Sequence, residues 1–246
     1  LKPYLGLWDE TPFTRDQGYG YTPHQTPRAA YAAMISRLDR DTGLVMKQLK
    51  DLGLDNNTLV LFSSDNGTTH LEQEVDYEFF ESVKPLRGLK GSLYEGGIRV
   101  PMIARWPGKI EPSSTTDLIT GFYDVMPTIA EVVGVKPPPG IDGISFAPTL
   151  LGHPERQKEH EFMYWEFGGY GGQQAVRMGD WKGVRQNITR RNNPDPLKIE
   201  LYNLKQDISE SRDVAAEHPE TVARIRQIMQ AEHVPSDVFP MAPLDK

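Results

Sequence analysis

The sequence contains no cysteine among its 246 residues. That absence removes disulfide staples, thiolate metal sites and cysteine nucleophiles from the chain. No apolar run approaches the ~20 residues that a membrane-crossing helix needs, so no transmembrane segment is expected. A surplus of positive charge is also missing. With 34 acidic and 27 basic side chains the formal net charge is −7, so no long-range field draws in a polyanion and nucleic acid is not an expected partner. No internal repeat is visible. The sequence opens on Leu1 rather than methionine, and a longer polypeptide is expected.

What is present reads as a globular chain. Hydrophobic residues make up 38% and charged residues 25%, enough for one large domain or two small ones. From Arg28 to Leu52, apolar side chains at Tyr31, Met34, Ile35, Leu38, Val45, Leu49 and Leu52 form one stripe of a long helix that Gly53 ends. "TLVLFSS" then reads as a short buried parallel strand, "VPMIARW" as a second strand and "FYDVMPTIAEVVG" as a helix. "KPPPGIDG" breaks regular structure and marks the expected boundary between residues 1–136 and 137–246. Beyond it "EFMYWEF", "QAVRMG", "WKGVRQ" and "IELYNL" read as short strands with one buried face. "PETVARIRQIMQAEH" reads as the helix that covers them. The expected class is α/β: a mainly parallel sheet with flanking helices, then a small antiparallel sheet with one helix.

Two stretches carry chemistry. "SSDNG" follows the first strand, and ligands of open parallel sheets gather beyond the carboxyl ends of the strands. Asp65 and Asn66 offer hard oxygen donors suited to calcium or magnesium, and Gly67 permits the chain to turn there. Read without a ligand, the same three residues form an ordinary Asx turn. In "LRGLKGSLYEGGIRVP", Lys90 stands among Gly88, Leu89 and Gly91, where the backbone can approach closely while a flexible ammonium points at an anion. It is not a nucleotide phosphate loop, because no Ser or Thr follows the lysine in the required spacing. Glu95 and Arg99, four apart, read as a structural ion pair at the exit of the loop. His70 lies on the loop after Asp65, where it can meet a substrate. Arg177 and Trp181 can line a rim from the small sheet or serve its packing. "NNT" at Asn56 and "NIT" at Asn187 match the glycosylation triplet.

"SSDNG" followed by "PLRGLKGSLYEGGIRVPMIARWPGKI" resembles the second half of the sulfatase family, within the alkaline-phosphatase-like superfamily. The likeness runs on through "GFYDVMPTIAEVVGV", "IDGISFAPTLLG", "AVRMGDWKGVR" and "IELYNLKQDISESRDVAAEHPE", from about Arg28 to the end. The resemblance implies that Asp65 and Asn66 are two ligands of an active-site calcium, and that Lys90 contacts the sulfate group. It implies a sulfated small molecule or carbohydrate as substrate, and a periplasmic or secreted location. It also implies a formylglycine nucleophile, made from Cys or Ser in Cys/Ser-x-Pro-x-Arg, but no such motif stands between Leu1 and Lys246. The family's amino-terminal Asp-Asp pair and its catalytic histidines are missing too, and His24 sits too close to the long helix to be one of them. The expected partner is therefore an amino-terminal part of the same enzyme, without which this chain should be inactive. Two other readings stand beside it: a phosphonate or phosphodiester hydrolase of the same superfamily, and a non-catalytic metal- or glycan-binding module.

Overall fold

A computed structural model describes residues 1–14, 22–69 and 76–245. The chain clusters into two compact units, each discontinuous in sequence. One comprises Leu1–Thr42, Ser64–Pro101 and Phe162–Lys246, the other Gly43–Ser63 and Met102–Glu161.

The long helix α1 spans Pro27–Asp51 and contributes to both units. Its first turn is capped from outside: Glu10 accepts the Arg28 and Ala29 amides at 2.9 and 2.8 Å, satisfying two donors that no helical carbonyl can reach. Pro27 fits a first helical position, where its missing N–H costs nothing. The stripe read from the sequence is there, but it faces water. Met34, Ile35, Leu38, Val45 and Leu52 are exposed, and Ala29 is the buried residue of the helix.

In the second unit, β1 (Val60–Ser63) pairs with β2 (Met102–Arg105) in an antiparallel ribbon. The parallel pairing expected for "TLVLFSS" is not found among the described residues: the intervening chain turns back and lays β2 alongside in the opposite direction. Arg105 clamps Asp55 with two hydrogen bonds of 2.6 and 3.0 Å. A 3-10 turn at Phe122–Asp124 leads into α3 (Val125–Val132). There the buried Asp124 carboxylate accepts the Gly121 and Ile144 amides and meets His160 Nε2 at 2.8 Å. "KPPPGIDG" carries neither helix nor strand, and the short helix α4 follows at Ala147–Leu150.

The first unit holds a meander of four antiparallel strands in the order β3 (Met163–Phe167), β4 (Gln173–Met178), β5 (Trp181–Arg185) and β6 (Glu200–Asn203). These are the four strands and the antiparallel sheet read from the sequence. β4 and β5 meet through a two-residue turn whose first position, Gly179, has φ 56°, the geometry a tight hairpin asks for. Helix α5 (Pro219–Glu232) covers one face, packing Ile225, Ile228 and Met229 on Val176, Ile199 and Leu201. Gly183 allows this, since a side chain there would run into Ile225.

The expectation of one buried face needs correction. The opposite face is covered as well, by Leu93, Tyr94 and Ile98 packed on Ala175, Val184 and Tyr202. The cover comes from the glycine-rich loop, far away in sequence. A four-residue helix, α2 (Glu95–Ile98), lies within it.

Candidate functional site

The glycines of "LRGLKGSLYEGG" permit backbone to pack on backbone. A side chain at Gly67 would strike Gly96 O, one at Gly96 would strike Gly88 O, and one at Gly97 would strike Ser92 O. The "SSDNG" turn is thereby drawn onto the lysine loop by two hydrogen bonds. Lys90 N–H donates to Thr68 O at 2.7 Å, and Gly67 N–H donates to Gly97 O at 3.0 Å. Asn66, Gly67 and Lys90, separate in sequence, thus belong to one knot of backbone.

Within that knot the side chains of Asp65 and Lys90 are exposed and that of Asn66 is half-buried. Asn66 Nδ2 donates to Gly67 O at 2.9 Å, and Ser64 Oγ donates to Asn66 O at 2.9 Å, which fixes the turn. With its amide nitrogen committed, Asn66 has its side-chain oxygen left as an acceptor. Asp65 and Asn66 therefore fit part of a hard-cation ligand set. Among the described residues no three His, Asp or Glu side chains converge into a fuller one.

The remaining sequence candidates are dispersed. His70 lies outside the described residues. Arg177 is on β4, with Nη1 3.6 Å from Glu95 Oε2 and Nε donating to Gly179 O at 3.4 Å. Trp181 packs with the α5 cluster, its ring 4.6 Å from that of His218. His24 Nδ1 accepts the Thr26 amide at 3.0 Å next to the bridge from Phe13, a local structural task.

Beneath the lysine loop sits a charged cluster of which sequence reading found only the Glu95–Arg99 pair. Glu95 is buried. It receives Lys182 Nζ at 2.7 Å, with Arg99 and Arg177 both at 3.6 Å. The Glu95–Arg99 pair read from the four-residue spacing exists, but Lys182 is the nearer partner. A second buried carboxylate, Glu210, accepts the Glu95 amide through Oε2 at 2.7 Å. Its Oε1 is 3.2 Å from Lys182 Nζ, an ion-pair contact inside the protein. Burial pushes the Glu210 carboxyl above its usual range, more than Lys182 pulls it down.

Arg87 completes the support. Its guanidinium lies 3.9 Å from the Tyr94 ring centroid and donates to Tyr202 Oη and Glu210 O, both at 2.9 Å. Tyr94 and Tyr202 both donate to Glu200. Burial first, then these bonds to a carboxylate, push both phenols well above the ordinary tyrosine range. Gln173 adds two further ties, donating from Nε2 to Gly91 O at 2.7 Å and accepting the Leu93 amide at 3.1 Å. Lys90 is thus carried on a loop bolted to the four-stranded sheet through Arg87 and Gln173.

The chain matches two family models, the sulfatase model over residues 6–135 and the model of the N-sulphoglucosamine sulphohydrolase carboxy-terminal region over residues 89–234. The chain belongs to the sulfatase family.

A sulfatase of Formosa agariphila is 32% identical over 216 residues, 78% of this chain and 36% of the relative. The N-acetylgalactosamine-6-O-sulfatase of Bacteroides thetaiotaomicron is 28% identical over 256 residues, 94% of this chain and 49% of the relative. Among solved structures, Ps i-CgsB in complex with k-i-k-neocarrahexaose superposes with a TM-score of 0.68 at 28% identity, covering 83% of this chain and 43% of that one. The PsFucS1 sulfatase from Pseudoalteromonas sp. gives a TM-score of 0.60 at 25% identity, covering 79% and 40%. The sulfatase chain described here therefore has the alkaline-phosphatase-like fold of its neighbours and spans less than half the length of these relatives.

Proposed function

We propose that this chain is the carboxy-terminal part of a sulfate-ester hydrolase in which Lys90 binds the sulfate group and Asp65 and Asn66 supply calcium ligands. The observation that carries the reading is the double backbone tie, Lys90 to Thr68 and Gly67 to Gly97, which holds the anion-binding lysine and the oxygen-donor turn in one knot. Lys90 orients the sulfate and offsets the charge that grows on its oxygens as the ester bond breaks. Calcium, when bound, acts as a Lewis acid toward a sulfate oxygen. Asp65 and Asn66 offer at most about three of the six to eight oxygens calcium takes, so the remaining ligands and the nucleophile belong to an amino-terminal part that is the chain's partner. The substrate is a sulfated small molecule or carbohydrate. Relatives named as steryl-sulfatase and N-acetylgalactosamine-6-O-sulfatase support the ester class without choosing its carrier.

The test is a backbone-amide NMR titration of the 246-residue chain with calcium chloride and then sodium sulfate. Expected are shifts confined to the amides around Asn66 and Lys90, saturating only at high concentration. Asp65→Ala should remove the calcium response and leave the sulfate response; Lys90→Ala should do the reverse. Unchanged titrations in both variants would defeat the proposal. The unaided chain should also fail to turn over an aryl sulfate.

A further inference from the structure

The most deeply buried carboxylate beneath the lysine loop sits on backbone that suits glycine. Glu210 is 0% exposed and has φ 49°, the left-handed region that L side chains rarely adopt. Asp207 builds the turn that holds it there: its carboxylate accepts the Ser211 and Arg212 amides at 2.8 and 2.9 Å and the Ser211 hydroxyl at 3.0 Å. Strained backbone and a desolvated carboxylate are two costs at one residue, and such strain clusters where a site must be held in place.

Its contacts show what is held. Oε2 accepts the Glu95 amide at 2.7 Å and the backbone carbonyl accepts Arg87 Nη1 at 2.9 Å, so the two residues that flank the loop from Gly88 to Tyr94 both hang on Glu210. Arg87 O in turn accepts the Gly96 amide at 2.7 Å, and the next carbonyl along, Gly97 O, is the one that accepts Gly67 N–H. That line has little slack, because a Cβ at Gly96 would run into Arg87 O and Gly88 O. A shift of the Glu95 amide is therefore passed to the turn that carries Asn66 and, through Thr68 O, to the Lys90 amide.

We infer that Glu210 is a positioning residue for the site around Asn66 and Lys90: by holding the Glu95 amide, its carboxylate oxygen sets where Gly97 O meets Gly67. Being wholly buried, it touches neither calcium nor sulfate. This deepens the sulfate-ester reading, on which its functional meaning rests. The acceptor oxygen matters here rather than the charge, since Lys182 keeps Glu95 as a partner at 2.7 Å whatever stands at position 210.

Amide hydrogen exchange of the 246-residue chain, followed by NMR, separates positioning from general support. Glu210→Ala should speed exchange at Gly67 and Lys90 by roughly tenfold, the equivalent of one buried donor left without its acceptor, while the amides of β4 and β5 keep their parent rates. Glu210→Gln, which retains an acceptor oxygen and loses the charge, should restore the parent pattern. In titrations with calcium chloride and sodium sulfate, Glu210→Ala should weaken both responses and Glu210→Gln neither. Exchange that quickens over sheet and knot alike, or loss of the fold in Glu210→Ala, would make the residue a structural prop and overturn the inference. So would unchanged rates at Gly67 and Lys90, a Glu210→Gln variant that behaves as Glu210→Ala does, or titrations unmoved by Glu210→Ala although Lys90→Ala abolishes the sulfate response. A sulfate response indifferent to Lys90→Ala would overturn the sulfate reading alone, while the exchange rates still decide the place of Glu210.

Discussion

Glu95 is 3% exposed, and the neighbours it requires are drawn from three segments: Arg99 from its own turn, Arg177 from β4 and Lys182 from β5. Removing the cation from a buried pair typically costs about 3–5 kcal/mol, because the partner charge is stranded in a medium that solvates it poorly. Lys182→Met should therefore lower the unfolding free energy by about that amount, read from urea denaturation. The sign of the pH dependence follows from Glu210, whose carboxyl burial already raises against the pull of Lys182. Without the ammonium its folded pKa lies further above the unfolded value of roughly 4.3. Its contribution is then fullest below that value and is lost as pH rises through the raised one. The deficit against the parent should narrow in acid, and a deficit independent of pH would show that packing rather than charge is at stake. Of this cluster only Glu95–Arg99 was legible in the sequence, because helical spacing is a local signal. Lys182 and Glu210 were not, since pairing across a sheet leaves no mark on spacing. The glycines around Asn66 and Lys90 were legible as places of close backbone approach.

Among the elements, α1, α5 and the four meander strands follow from hydrophobic period and turn residues, which is why their bounds lie close to the expected ones. The two-sided burial of the sheet escaped, because its second cover is a loop with no period of its own. The segment after α5 was also illegible, and it is held by charge. His233 Nδ1 meets Glu166 on β3 at 2.8 Å and Nε2 meets Asp245 at 3.0 Å, while Asp245 accepts the Met241 amide. Tyr164 and Gln174 also bond Glu166, so the carboxylates facing the imidazole are fixed in place. Burial alone would lower the His233 pKa, but hydrogen bonds and charge from Glu166 and then Asp245 outweigh it and raise the value. A raised histidine stabilises fully below its unfolded pKa of ~6.5 and loses that contribution as pH climbs through the folded value. Thermal melts should show stability falling from about pH 6.5 upward, and His233→Gln should flatten that slope. A slope unchanged in the variant would assign it to another group.

At the scale of the whole chain, sulfatase membership and the spread of exposed apolar side chains bear on one another. Met34, Ile35, Leu38 and Val45 on α1 and Leu52 just after it stand in water, as do Ile103 on β2 and Met126, Ile129 and Val133 on or just after α3. The helical spacing that announced α1 was a sound guide to its secondary structure, yet spacing cannot say what covers a stripe. These side chains have a calorimetric consequence. Unfolding raises the heat capacity in proportion to the apolar surface newly hydrated, typically by about 12–15 cal/mol/K per residue. Groups already hydrated in the native state add nothing to that increment. Scanning calorimetry of the isolated chain should accordingly return a value below this range, and a value within it would mean the stripe is buried in solution. A small increment flattens the curve of stability against temperature. The chain would then lose its structure over a broad span of temperatures rather than at a sharp threshold, and cooling would weaken it only slightly.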